Sequence, residues 1–192
     1  MKYIINICII LVSILLSLSI IEFYLRNSNK VRNIGESFSR YDQSYGKWLK
    51  EDVQIKRITP EFVMKIKTDS MGRRFTPELS LPSKKILFLG DSFTMGYGVN
   101  DDEVFPFLIQ KNLLNYNISA KSLNYGVGNT GNGRNLLIIK NKLESLKPDL
   151  IIIQLCSNDF SDNLTEKYFT LNSSGLNFNG IPKDKFSTLE KL

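Results

Sequence analysis

The sequence predicts an α/β domain built on a parallel sheet and preceded by one transmembrane helix. Three observations carry that expectation. An apolar run of about 20 residues opens the chain, long enough to cross hydrocarbon. Strand-sized apolar runs then alternate with helix-period segments between Lys84 and Leu155. Each of those runs ends in a polar or glycine-rich turn, the place where open α/β sheets gather ligands.

From Ile4 to Leu25 only Asn6, three serines and Glu22 interrupt the apolar run. A membrane anchor over residues 1–26 is the reading, with a cleaved signal peptide as its rival. The run exceeds a usual signal-peptide core, and no small-x-small cleavage site follows it. Glu22 falls at head-group depth, where a charge is tolerated. Residues 26–85 carry 14 Lys/Arg against 7 Asp/Glu, whereas residues 86–192 carry 10 against 11, so the net charge of +6 lies beside the anchor. Anionic head groups or plain solvation explain this excess, and no nucleic-acid-binding signature accompanies it. Arg26, Lys30, Arg32 and Arg40 follow the span while Lys2 precedes it, and by charge alone this places the domain in the cytoplasm. Cys8 lies in the apolar run and Cys156 at a strand end, so the two are not expected to pair.

Residues 27–83 read as a juxtamembrane neck of irregular structure with one or two short strands. Phe62–Lys67 partly alternates, and Asp69-Ser70-Met71-Gly72 reads as the turn that closes it. Arg73 and Arg74 are either solvated or available to an anionic substrate.

Ile86-Leu87-Phe88-Leu89 has the length and flanks of a buried strand, although periodicity alone leaves a helix open. Gly90-Asp91-Ser92 turns at its end. Ser92 is there either a nucleophile or a helix cap. Asn100–Glu103 supplies cap-competent and acidic residues, and Pro106, which fits only a first turn, sets a helix start near Glu103 that runs to about Leu114. Lys121–Tyr125 is a second strand, followed by the turn Gly126–Gly131 and a helix from about Gly133 to Leu146. Leu150–Leu155 is the most apolar strand and reads as covered on both faces. Strand, helix, strand, helix, strand implies right-handed crossovers and a parallel sheet whose carboxyl-end loops share one edge. Those loops bring a hydroxyl, a glycine-rich backbone and the carboxamide of Asn158 to one crevice, the ingredients of acyl transfer.

At these residues the chain resembles the SGNH hydrolases, also called the GDSL esterase/lipase family. Gly90-Asp91-Ser92-Phe93-Thr94 is similar to the block carrying the nucleophilic serine. Asn124–Asn129 is similar to the block whose backbone amide serves the oxyanion, that of Gly128 or, in the alternative register, Asn129. Ser157-Asn158-Asp159 is similar to the block whose asparagine side chain donates as well. The resemblance covers roughly residues 60–165 and extends to the end of the anchor, Ile21–Arg26. It implies a flavodoxin-like three-layer α/β/α sandwich over residues 84–192, a domain outside the cytoplasm, an ester-bearing small molecule or polysaccharide as substrate, and neither metal nor cofactor. Asp91 and Asp159 are expected to brace their loops.

Two departures stand out. Cys156 occupies the position of a usual glycine, and the late Asp-x-x-His block is missing from a sequence that contains no histidine. Serine without a base is a weak nucleophile, so these 192 residues are expected to be the inactive front portion of a longer hydrolase or a catalytically dead relative. Tyr168–Ile181 resembles an insertion that precedes further catalytic domain in longer members. The competing functions are O-acyl transfer by the same serine and a non-catalytic anchored binding module.

Overall fold

The computed structural model describes residues 2–28 and 35–181. Helix α1 (Lys2–Ser28) contains a 23-residue stretch, Lys2–Tyr24, whose most apolar 18-residue window has mean hydropathy 2.9 and no burial against the rest of the chain. At about 1.5 Å per residue it matches the hydrocarbon thickness of a bilayer. The hydroxyls of Ser13, Ser17 and Ser19 donate to the carbonyls of Ile9, Ser13 and Leu15, so none needs water. The side chains of Arg26, Lys30 and Arg32, on which the charge count across the span partly rests, lie outside the described residues.

The segment expected to be irregular folds into two antiparallel hairpins. The first pairs β1 (Ser39–Asp42) with β2 (Gly46–Leu49), the second β3 (Gln54–Ile58) with β4 (Val63–Lys67). At four or five residues these strands are too short for strong periodicity, and only β4 alternates cleanly, burying Met64 and Ile66. Their apolar side chains pack inward: Leu49, Ile55, Met64 and Ile66 form one cluster with Met95 and Val127, which flank the Ser92 turn.

Three parallel strands follow: β5 (Lys84–Leu89), β6 (Ala120–Asn124) and β7 (Leu150–Ile153), in the order β6-β5-β7. Because β6 and β7 lie on opposite sides of β5, right-handed crossovers must run over opposite faces. The cores agree. Ile86, Phe88 and Ala120 pack on helix α3 (Phe105–Leu114), whereas Leu87, Leu89 and Leu123 pack on helix α4 (Asn132–Leu146). This is the three-layer α/β/α arrangement, and its switch point is the end of β5, where the short helix α2 (Ser92–Met95) begins.

Two expectations need correction. Helix α3 starts at Phe105 after an extended Val104, with Pro106 in its first turn, and the acidic run before it does other work. Asn100 Oδ1 and Asp101 Oδ1 accept from the backbone N–H groups of Lys65 and Lys67 along the outer edge of β4. Strand β7 is covered only in part on each face: Ile151 and Ile152 are half-buried, but Leu150 is 52% and Ile153 46% exposed, with Leu155 beyond it at 69%. The strand is an edge of the described sheet, and only Ile151 and Ile152 pack against its two cores.

After β7 come helix α5 (Asp159–Glu166) and the hairpin of β8 (Phe169–Asn172) with β9 (Gly175–Phe178). Tyr168 anchors this hairpin; it is buried and donates its hydroxyl to the Tyr45 carbonyl at 3.1 Å.

Candidate active site

Ser92 is the first residue of α2, half-buried at the carboxyl end of β5. The turn before it is held by Asp91, 1% exposed, whose Oδ1 accepts from the Phe93 N–H at 2.9 Å as the side-chain cap of α2. The cap is therefore Asp91, which leaves the Ser92 hydroxyl available. Its contact with Asp91 Oδ2 is long, 3.4 Å.

The second loop reaches Ser92 through its glycines. A Cβ on Gly126 would overlap the backbone of Met95, so only glycine lets the strands' end and α2 approach this closely. A Cβ on Gly128 would lie 3.3 Å from the Ser92 Cβ, which places the Gly128 backbone directly beside the hydroxyl. Asn129, next along, takes a left-handed φ of 56°, is exposed and also lines the cavity in front of Ser92. Of the two, Gly128 has the close approach to Ser92, while both line the same cavity.

The third loop arrives from the other side. Asn158 Nδ2 donates to Asp91 Oδ2 at 3.2 Å and to Asp162 Oδ2 at 2.8 Å, so the carboxamide shares an acceptor atom with Ser92. The hydroxyl, the glycine backbone and the amide thus meet at one rim. Both amide hydrogens of Asn158 are nonetheless held by carboxylates, and a developing oxyanion would have to draw one away. Asp159, 3% exposed, accepts from the Cys156 N–H at 2.9 Å and from Asn132 Nδ2 at 3.2 Å, bracing the loop. Cys156 keeps a negative φ, so the loop does not need glycine there. Burial, followed by the neighbouring Asp91 carboxylate, raises its thiol pKa above the usual value.

The second and third loops are tied together through α5. Helix α4 has no side-chain cap of its own; instead Glu166 Oε2 accepts from the Gly131 N–H and Asn163 Oδ1 from the Gly133 N–H, each at 2.8 Å. Beneath them Arg134 is fully buried, donating to the carbonyls of Tyr125 and Gly90 at 3.1 and 3.4 Å over the Trp48 ring. Burial lowers its pKa to about 10 and raises that of Glu166 to about 7.

The arginines of the approach segment are not at this rim. Arg74 is 1% exposed and fully engaged, to Asp101 Oδ1 at 2.6 Å and to the carbonyls of Lys65, Met95, Gly96 and Val99. Arg73 is paired with Asp69.

Three features went unanticipated. The first is Asp162, although its i, i+4 spacing from Asn158 on a helix was readable. The second is a cavity of about 810 Å³ in front of Ser92, lined on one wall by Met95, Tyr97, Val127 and Gly128. The third is that its other wall comes from the neck: Phe38, Arg40, Lys47, Lys50 and Arg57. The basic excess of residues 26–85 was the available signal for that wall, and part of it faces this cavity.

The fold and its rim define a doubly wound α/β/α protein with a polar crevice at the switch point of its sheet. A GDSL-like lipase/acylhydrolase model matches residues 86–184, just over half of the sequence, and the chain belongs to that family. An arylesterase of Vibrio mimicus is 30% identical over 95 residues, which are 50% of this chain and 48% of that protein. The crystal structure of AlinE4, an SGNH-hydrolase family esterase, is 33% identical over 43% of this chain and 44% of its own, with a TM-score of 0.39. A mutant of the same esterase gives 32% identity over the same shares and the same TM-score. The chain thus spans about half the length of the relatives it matches.

Proposed function

We propose that this chain contributes the serine-bearing part of a membrane-anchored ester hydrolase. On this reading Ser92 attacks the ester carbonyl, and the backbone amides of Ser92 and Gly128 with the Asn158 side chain stabilise the oxyanion. The observation that carries it is the convergence of Ser92, Gly128 and Asn158 from three loops on one rim. Family membership and the arylesterase relative support the ester class. Helix α1 supports the anchor, with the hydrolase domain on the extracytoplasmic side and a surface-borne acyl ester as substrate. No metal or cofactor enters the reaction.

The step requires a base, and the acceptor beside Ser92 Oγ is Asp91, whose oxygens already hold Phe93 and Asn158. Since the 192 residues contain no histidine, this chain alone is expected to turn over at background rate. With aryl acetates as substrates, the full reading frame is expected to hydrolyse them and Ser92→Ala to lower kcat/KM by about 10³-fold or more. An unchanged rate in Ser92→Ala would remove the proposal. Acyl transfer uses the same serine and is read from the appearance of acylated saccharide when an acceptor is added.

One observation favours a second reading, a non-catalytic anchored module: both Asn158 hydrogens are committed to Asp91 and Asp162. That reading requires Ser92→Ala to leave the biological role intact. For the anchor, a reporter fused after Leu192 is expected to be active outside the cytoplasm, and cytoplasmic activity would reverse the orientation.

A further inference from the structure

The cavity before Ser92 has walls of very different character. The wall from α2 and the second loop is apolar or neutral, whereas the hairpin wall presents Arg40, Lys47, Lys50 and Arg57, and no carboxylate lines the space among the described residues. Arg40 is already matched by Asp42 and Glu51. Arg57 is not matched in this way. Its guanidinium lies 5.8 Å from the centre of the Phe38 ring and 5.9 Å from that of Tyr97, and its buried Nε has no hydrogen-bond partner. Aromatic packing fixes the plane of the fork without neutralising its charge. Lys50 adds a second ammonium on the same wall, and its described hydrogen bonds are made by the backbone. These two cations, Arg57 and Lys50, focus a positive potential into the cavity.

We infer that the ester taken by this cavity carries an anionic group, a carboxylate or a phosphate, which Arg57 and Lys50 bind while the acyl carbon lies at Ser92. This rests on the hydrolase reading for the ester and on the hairpin wall for the charge. The cavity's roughly 810 Å³ is enough for a drug-sized molecule, so one ligand can reach both walls. It also gives the neck hairpins a role: they supply the selective half of a site whose chemistry sits on the sheet.

The test separates binding from chemistry. Dissociation constants are measured by titration on the Ser92→Ala chain, where no acylation at this residue occurs. The probes are 4-acetoxybenzoate, 4-acetoxyphenyl phosphate and the neutral methyl 4-acetoxybenzoate. The two anions are expected to bind about tenfold more tightly than the neutral ester, an advantage that shrinks as salt screens it. Arg57→Gln and Lys50→Gln are each expected to erode the preference, and Arg57→Lys to keep part of it. Lys50→Gln keeps the question answerable if loss of Arg57 disturbs the packing of Phe38 and Tyr97. Equal binding of all three probes, or a preference that survives both glutamine variants, would overturn the inference. A preference for one anion over the other identifies which group the site takes. Labelling of Ser92 in the otherwise unaltered protein by a neutral fluorophosphonate reads the nucleophile separately. Labelling without any charge preference removes this inference and spares the hydrolase reading. A charge preference without labelling in the full reading frame removes the hydrolase reading and, with it, the assignment of the ligand as an ester.

Discussion

The two flanks of β5 are built from similar strands and meet opposite surroundings. On one side β6 buries four of its five residues; its last residue, Asn124, forms an antiparallel bridge with Arg74, which bridges in turn to Thr68 at the end of the β3–β4 hairpin. On the other side β7, the more apolar by sequence, buries none of its four. Apolar content alone does not produce burial; a layer to pack against does. Helices α3 and α4, with Tyr45 and Trp48 of the first hairpin, supply that layer for β6, whereas for β7 the same two cores reach only Ile151 and Ile152. The candidate site lies on the central strand between the two, and its hydroxyl and glycine loop open toward the hairpin side.

The strongest test of the closed flank is Arg74. It joins Asp101 and four carbonyls from β4, α2 and the loop after α2, and burial lowers its pKa against the pull of Asp101. Arg74→Ala strands those acceptors together, so a loss of about 5 kcal/mol is expected in urea unfolding. A loss under about 1 kcal/mol would mean that the hairpins are not integral to the domain. Next is a matched pair across the sheet. Leu123→Ala on β6 is expected to cost about 3 kcal/mol and Ile153→Ala on β7 under about 1 kcal/mol. Equal costs would erase the asymmetry.

A smaller effect should appear with pH. Burial raises the pKa of Glu166 to about 7 from its ordinary 4.5, although the Gly131 N–H and Arg134 pull it down. Between those values the folded state holds a proton that the unfolded state has released, so folding stability is greatest below about 4.5 and falls as pH rises through about 7. Allowing for partial exposure, the fall is about 2 kcal/mol. Glu166→Gln keeps an acceptor for Gly131 and should flatten that slope. A slope unchanged by the substitution would place the titrating group elsewhere.

How much of this was legible follows the same asymmetry. The three parallel strands, the helices between them and the Ser92, Gly128 and Asn158 loops could be read because each depends on local pattern: an apolar run, a 3.6-residue stripe, a turn residue. The hairpin wall could not. Phe38, Lys50 and Arg57 are ordinary in their own windows, and their relation to Ser92 exists only after two hairpins with strands of four or five residues dock through Leu49, Ile55 and Met64. The acidic run Asn100–Glu103 misled for a related reason. Its residues are good helix caps locally, but the open edge of β4 offered Asn100 and Asp101 backbone donors first. Leu150–Ile153 misled because four consecutive apolar residues look alike in a central and an edge strand.

That ambiguity gives the smallest prediction and the sharpest one for β7. An unpaired apolar edge is a template for another strand, and natural edges are commonly protected by a lysine. Ile153 is 46% exposed, at the last residue paired with β5, opposite Leu89. Ile153→Lys is therefore expected to change folding stability by under about 1 kcal/mol, since little packing is lost and the ammonium can stay in water. The same change should lower self-association of the chain, measured by sedimentation with α1 held in detergent. Leu87→Lys, at a wholly buried position of the neighbouring strand, should instead abolish folding. If Ile153→Lys unfolded the protein as Leu87→Lys does, β7 would be a covered strand after all, and the contrast between the flanks would belong to the sequence rather than to what packs on it.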